Sequence, residues 1–215
     1  MIREQRLRVA TRLKWRREDP DGTDRGAATG GSGGEPSLSV DLADTLVTVT
    51  QPATDLLSDP DQLRRWWQLQ ESRLPPGAPI PDPTATRRLR HAVRDAFDAH
   101  LEHRVPPTES LDDINAAAAA APVSTRLDLI ATELQRSVRW HVEYGGNPAL
   151  AATATDAITV LTDPRYRDQL RRCANPDCSM LFLATNPRRS CCTANICGNR
   201  ARVARHYHRR THTTG

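Results

Sequence analysis

Two cysteine pairs of identical spacing, Cys173-x4-Cys178 and Cys192-x4-Cys197, fall in the last fifth of the chain, and no cysteine occurs outside this stretch. A hairpin-sized segment separates the pairs. Two thiol pairs so arranged are what a tetrahedral four-sulfur zinc site requires. This portion of the chain must therefore fold so that four sulfurs converge. The fifth cysteine, Cys191, abuts the second pair and could replace Cys192 as a ligand, but only Cys192 reproduces the x4 spacing of the first pair.

No run of 18 apolar residues and no signal-peptide pattern occurs in the 215 residues, so the chain reads as a cytoplasmic protein with no membrane contact. Thiols stay reduced in that compartment, and five cysteines cannot all pair within one chain. The expectation is one structural zinc per chain, held by Cys173, Cys178, Cys192 and Cys197. Four thiolates leave zinc no open position for water, which argues against a catalytic metal. The chain also lacks a phosphate-binding loop, a dinucleotide-binding glycine pattern and a His-Glu-x-x-His motif. It is not expected to be an enzyme.

The net charge of +4 conceals a segregation. Residues 1–18 hold seven basic residues against two acids, and residues 165–210 hold eleven arginines against Asp168 and Asp177. The stretch between them carries twelve arginines against twenty-two acids. A polyanion is attracted to the ends and repelled by the middle.

Residues 1–36 read as a disordered basic leader and a Gly-rich linker, whose composition cannot bury a core. An acidic, helix-rich body follows over residues 37–163. Leu38, Val40, Leu42, Leu46 and Val47 mark a buried first element whose period fits either helix or strand. Asp59-Pro60 caps a helix reaching about Gln70, and Asp82-Pro83 starts the clearest one, with Leu89, Ala92, Val93, Ala96, Phe97 and Leu101 on one face. Thr108 or Ser110 caps a third helix carrying a close-packing alanine run, Ala116–Ala121. The period then changes to alternation. Leu127 and Leu129, then Val138, Trp140, Val142 and Tyr144, predict a half-buried strand pair. Asn147-Pro148 caps a further helix through Leu161.

Residues 164–215 form the zinc module and its tail. Ala-Asn-Pro-Asp inside the first cysteine pair makes a turn, Met180–Leu183 returns as a strand, and Asn186-Pro187 turns the chain toward the second pair. The tail from Arg200 to Arg210 reads as a helix, with Arg202, Arg205 and Arg209 following one another at three and four residues. Together with Arg188, Arg189, Arg200 and Arg210 they form a basic face with few local acids, expected to contact DNA. His206, His208 and His212 read as surface residues. The fold class is mainly α (α+β): a helix-rich body with a small hairpin or sheet, then a four-cysteine module with a C-terminal basic helix.

The order of first pair, hairpin, second pair and helix resembles treble-clef zinc modules. Residues 172–200, ending in Cys197-Gly198-Asn199-Arg200, resemble the CGNR zinc finger. Upstream, Leu38-Ser-Val-Asp-Leu-Ala-Asp-Thr-Leu46 is similar to the opening motif of the ABATE domain that commonly precedes this finger in bacterial proteins. The resemblance implies a transcription regulator with zinc on the same four cysteines. Cys191 departs from it, standing where an aromatic is expected, and so does the basic leader. The alternative reading is a zinc-stabilised module whose basic face docks an acidic protein partner. An effector molecule for the body and an oligomeric state do not follow from the sequence.

Overall fold

The computed structural model describes residues 37–143, 145–192 and 197. The expected leader and linker, and the basic tail from Arg200 onward, lie outside the described residues. In chain order the elements are α1 (Leu38–Ala43), β1 (Leu46–Val47), β2 (Thr54–Asp55), α2 (Pro60–Leu69), α3 (Pro83–Leu101), α4 (Thr108–Ala120), β3 (Val123–Ile130), β4 (Glu133–Trp140), α5 (Pro148–Thr162), α6 (Pro164–Arg167), β5 (Leu170–Arg172) and β6 (Leu181–Leu183). The three strand pairs, β1–β2, β3–β4 and β5–β6, are antiparallel. No described helix is long and apolar enough to cross a membrane.

The described residues divide in space into two compact units, 37–56 with 163–192 and 197, and Leu57–Thr162. This division runs elsewhere than the expected boundary at 163/164: the segment that opens the body groups with the cysteine module. In the first unit Ser37 caps α1, its side chain accepting from the Val40 N–H, and all six residues of α1 are buried. The ambiguous first element is thus a short helix, followed by the two-residue strand β1. The tie to the cysteine module is specific. The buried Asp44 carboxylate, at the end of α1, accepts the Leu181 N–H of β6 at 2.7 Å.

The second unit is built on three helices. α3, α4 and α5 pack against one another. Their buried faces carry Leu89, Val93 and Phe97 from α3, Ile114 from α4, and Ala149, Ala151, Ala154, Ala157 and Val160 from α5. The alanines of α5 lack bulk and so permit close helix approach. Asp82 accepts the Thr84 and Ala85 N–H groups at the start of α3, and Asn147 does the same for Ala149 and Leu150 at α5. On α2, Trp66 and Trp67 meet edge to face at 4.8 Å, and the Trp67 indole N–H donates to Thr86 of α3. α3 also buries Arg90 and Arg94, the latter paired with Asp98 at 2.8 Å.

Two local expectations are corrected. α4 begins at Thr108 after Pro107 with no side-chain cap, because Thr108 is already the first helical residue. Its alanine run is largely half-buried or exposed, so only Ser110 and Ile114 of this helix enter the core. The β3–β4 pair forms as expected with Trp140 half-buried, but Leu127, Leu129, Val138 and, beyond the strand, Val142 are exposed, and Tyr144 lies outside the described residues. At the base of this hairpin His141 bonds Ser124 through Nε2 and Glu143 through Nδ1, both at 2.8 Å.

Gly146 marks a close backbone approach. A Cβ there would stand 1.8 Å from the Ala120 carbonyl oxygen at the end of α4. Gly146→Ala should therefore destabilise the second unit by about 2–3 kcal/mol, since backbone cannot yield as a side-chain tip does; thermal unfolding would measure it. In the first unit, Asp44→Ala leaves the buried Leu181 N–H without its acceptor, a loss of about 1–3 kcal/mol. Asp44→Asn keeps a carbonyl oxygen there and should recover most of that loss in the same melts.

Candidate metal centre

The antiparallel pair β5–β6 sets Leu170 opposite Leu183 and Arg172 opposite Leu181. Cys173 leaves β5 and is held by its N–H to the Met180 carbonyl at 2.9 Å. The Asn-Pro-Asp turn closes on itself: Asn175 Oδ1 accepts from Asp177 N, and the Cys178 N–H donates to the Asn175 carbonyl. Both sulfurs of the first pair are thereby placed by one knuckle. The second knuckle is tied to the first, because the Ala174 N–H donates to the Ser190 carbonyl at 2.8 Å.

The sulfurs of Cys173, Cys178, Cys192 and Cys197 all lie within 4.8 Å of one another, and all four residues are buried. Cys178 and Cys192 stand 3.8 Å apart, Cys192 and Cys197 3.7 Å. A regular tetrahedron with zinc–sulfur bonds of about 2.3 Å has edges of about 3.8 Å. The donor set and its spacing therefore fit a zinc ion. Cys191 is buried beside the cluster but is not one of the four mutually close sulfurs. Its thiol is pushed up chiefly by burial.

Outer groups orient the sulfurs. The Cys192 N–H points at Cys173 Sγ at 3.5 Å, and the Asn175 amide nitrogen lies 3.8 Å from Cys197 Sγ. Met180, Phe182 and Ala184 pack with the cysteines into one buried cluster. Hydrogen bonds among the thiols split their acidity. Cys173 is held far below the usual thiol range by its bonds with Cys178 and then Cys192, while Cys178 is pushed up to about 12 by the bond with Cys173. Cys192 is raised by its bonds with Cys173 and Cys178. Zinc takes thiolates, so metal uptake must displace the protons that these thiols hold.

Arg189 belongs to this architecture. Its Nε donates to the Cys191 carbonyl at 3.1 Å, its Nη2 to the Cys192 carbonyl at 2.5 Å, and its guanidinium carbon lies 4.8 Å from the Phe182 ring centroid. Arg189, expected on the DNA-contacting face, is bonded here to the backbone at Cys191 and Cys192. Arg188, beside it, is exposed. Arg200, Arg202, Arg205, Arg209 and Arg210 lie outside the described residues, as does Gly198.

Residues 37–164 match the model of the ABATE family, described as "putative stress-induced transcription regulator", and cover more than half of the chain. The chain belongs to the ABATE family. Residues 169–210 match the CGNR zinc finger, so the ABATE domain is followed by that finger, as the resemblance implied. Comparison with curated proteins returns no match. In this ABATE protein the family boundary and the spatial boundary differ: residues 37–56 match ABATE but group in space with the finger.

Sequence reasoning missed Asn175, Arg189 and Asp44 as supports of the centre. Asn175 carried a turn signal only, and an arginine beside Arg188 looks like surface charge. Replacing any of Cys173, Cys178, Cys192 or Cys197 with Ser should abolish stoichiometric zinc, whereas Cys191→Ser should retain it, as read by metal analysis after dialysis. Arg189→Ala should weaken zinc in chelator competition by about 10-fold or more, and Arg189→Lys should not restore it, because a single ammonium lacks the planar fork that spans two carbonyls.

Proposed function

We propose that this ABATE protein is a transcription regulator that binds DNA through its zinc-stabilised CGNR module. One structural zinc per chain is held by Cys173, Cys178, Cys192 and Cys197. It acts by fixing the two knuckles and the chain that follows them, and all four of its positions are filled by sulfur, so it has no part in turnover. The observation that carries this reading is the tetrahedral sulfur cluster set in a segment rich in unbalanced arginine. Eleven arginines against two acids over residues 165–210 make a strong attraction for phosphate. The contacts fall to Arg188, Arg189, Arg200, Arg202, Arg205, Arg209 and Arg210, Arg189 also bracing the Cys191 and Cys192 carbonyls. A DNA target and a four-thiolate zinc site both suit a cytoplasmic setting.

Removing Arg202, Arg205 and Arg209 together should weaken duplex binding broadly across sequences. It should also flatten the slope of log affinity against log salt by about one unit per lost contact. Zinc content should stay unchanged. The measurement is a salt series on random and genomic duplexes for the wild type and the triple variant. Equal binding by both proteins, or binding to an acidic polypeptide but to no duplex at low salt, would replace DNA by an acidic protein as the target.

A further inference from the structure

The β3–β4 hairpin is amphipathic with its apolar face outward. Its register runs unbroken from Val123 opposite Trp140 to Ile130 opposite Glu133. The alternation therefore assigns Val123, Thr125, Leu127 and Leu129 to one face with Leu134, Arg136, Val138 and Trp140. The opposite face holds Ser124, Arg126, Asp128, Ile130, Glu133, Gln135, Ser137 and Arg139. On that polar face Ser137 donates to Asp128, and Ser124 bonds His141. The apolar face has no such resolution. Leu127, Leu129 and Leu134 are 70%, 67% and 69% exposed, and Val123 and Val138 are each 53% exposed.

This concentration is unlike ordinary surface scatter. Five of the ten large apolar side chains exposed among the described residues lie on this one face of the hairpin, and a sixth, Ile130, on its other face. Isolated exposed leucines need no explanation, but a contiguous strip on one sheet face marks an interaction surface. A two-stranded ribbon is marginal alone and gains stability when its apolar face is covered.

We infer that this face is where two copies of the chain associate, apolar strip against apolar strip. The strip is about 27 Å long, eight residues at about 3.4 Å each, and two strands wide. Five aliphatic side chains at the exposures above, each offering roughly 100 Å² when fully exposed, supply on the order of 300 Å². Thr125, Trp140 and the Arg136 stem raise that to about 400–500 Å² per copy, or about 800–1,000 Å² for the pair, below the standard specific interface and within the weak, transient class. Such an area suits a dimer that dissociates on dilution rather than an obligate one. A flat strip pairs well with another of equal length and width, and aligned sheet packing joins two such faces about a two-fold axis. Charge does not oppose the match. Arg136 is the single charged residue on the face, and the ribbon carries Arg126, Arg136 and Arg139 against Asp128 and Glu133, so neither copy presents a one-sign field to the other. A polyanion would find one cation amid leucines.

The experiment is sedimentation velocity of the full zinc-loaded chain from about 1 to 100 μM. The wild type should pass from monomer to dimer within that range. Leu127→Arg and Leu134→Arg should each raise the dissociation constant at least ten-fold, while Gln135→Arg, on the opposite face, should leave it unchanged. A second measurement needs no substitution: amide exchange over residues 123–140 should slow as wild-type concentration rises. A wild type monomeric at 100 μM overturns the inference and leaves the strip to another partner. A dimer untouched by both leucine substitutions, or with no change in exchange over residues 123–140, overturns it equally.

Discussion

Convergence of four cysteine sulfurs to within 4.8 Å of one another is the constraint on which the first unit depends. Sulfurs packed this closely cannot all carry charge unless a cation sits among them, and the divided acidities of Cys173 and Cys178 express that conflict. A zinc ion held there would relieve it by neutralising charge while fixing direction. The surrounding chain is arranged for the same end. The first knuckle is closed by backbone hydrogen bonds, the Ala174 N–H ties it to the Ser190 carbonyl just ahead of the second cysteine pair, and Arg189 spans the Cys191 and Cys192 carbonyls. A module with two three-residue strands has little else to hold it together.

The little core it does possess is shared with the start of the ABATE domain. Asp44 reaches the Leu181 N–H across 137 positions of sequence, and so binds the end of α1 to the finger's hairpin. Short two-stranded sheets are marginal alone, and docking a buried helix beside one is a common remedy. The boundary between ABATE and CGNR is therefore a boundary of sequence similarity and not of packing. A change of metal state at the cysteines bears on the same unit that holds α1, which gives the family motif at Leu38–Leu46 a structural role independent of any ligand.

Much of the architecture was legible because local chemistry is strong where it matters. Asp59, Asp82 and Asn147, each followed by proline, announced three helices that form with those residues as caps. The 3.6-residue period of Leu89, Val93 and Phe97 marked a face that is buried. Where expectation failed, the missing quantity was the partner surface. Alternation in Leu127, Leu129 and Val138 specifies a ribbon with an apolar side, but whether that side meets a core depends on what stands opposite. The alanines of α4 pack only where a neighbour approaches, and Arg90 and Arg94 entered a core that periodicity reserved for apolar residues.

The sequence by itself marked the two cysteine pairs, most of the element types and the polarity of charge, because cysteine spacing, capping residues and side-chain period act over a few residues. It also carried the family resemblance, which rests on contiguous motifs. Only the tertiary structure decided that Cys191 stands outside the sulfur tetrahedron, that Arg189 is held by carbonyls, that Asp44 serves the finger, and that the β3–β4 hairpin keeps its leucines in solvent. Each of these turns on the three-dimensional path of the chain, whether between distant residues as at Asp44 and Leu181 or within a tight turn as at Arg189, or on the burial of one face, and none is encoded in the spacing of neighbouring residues.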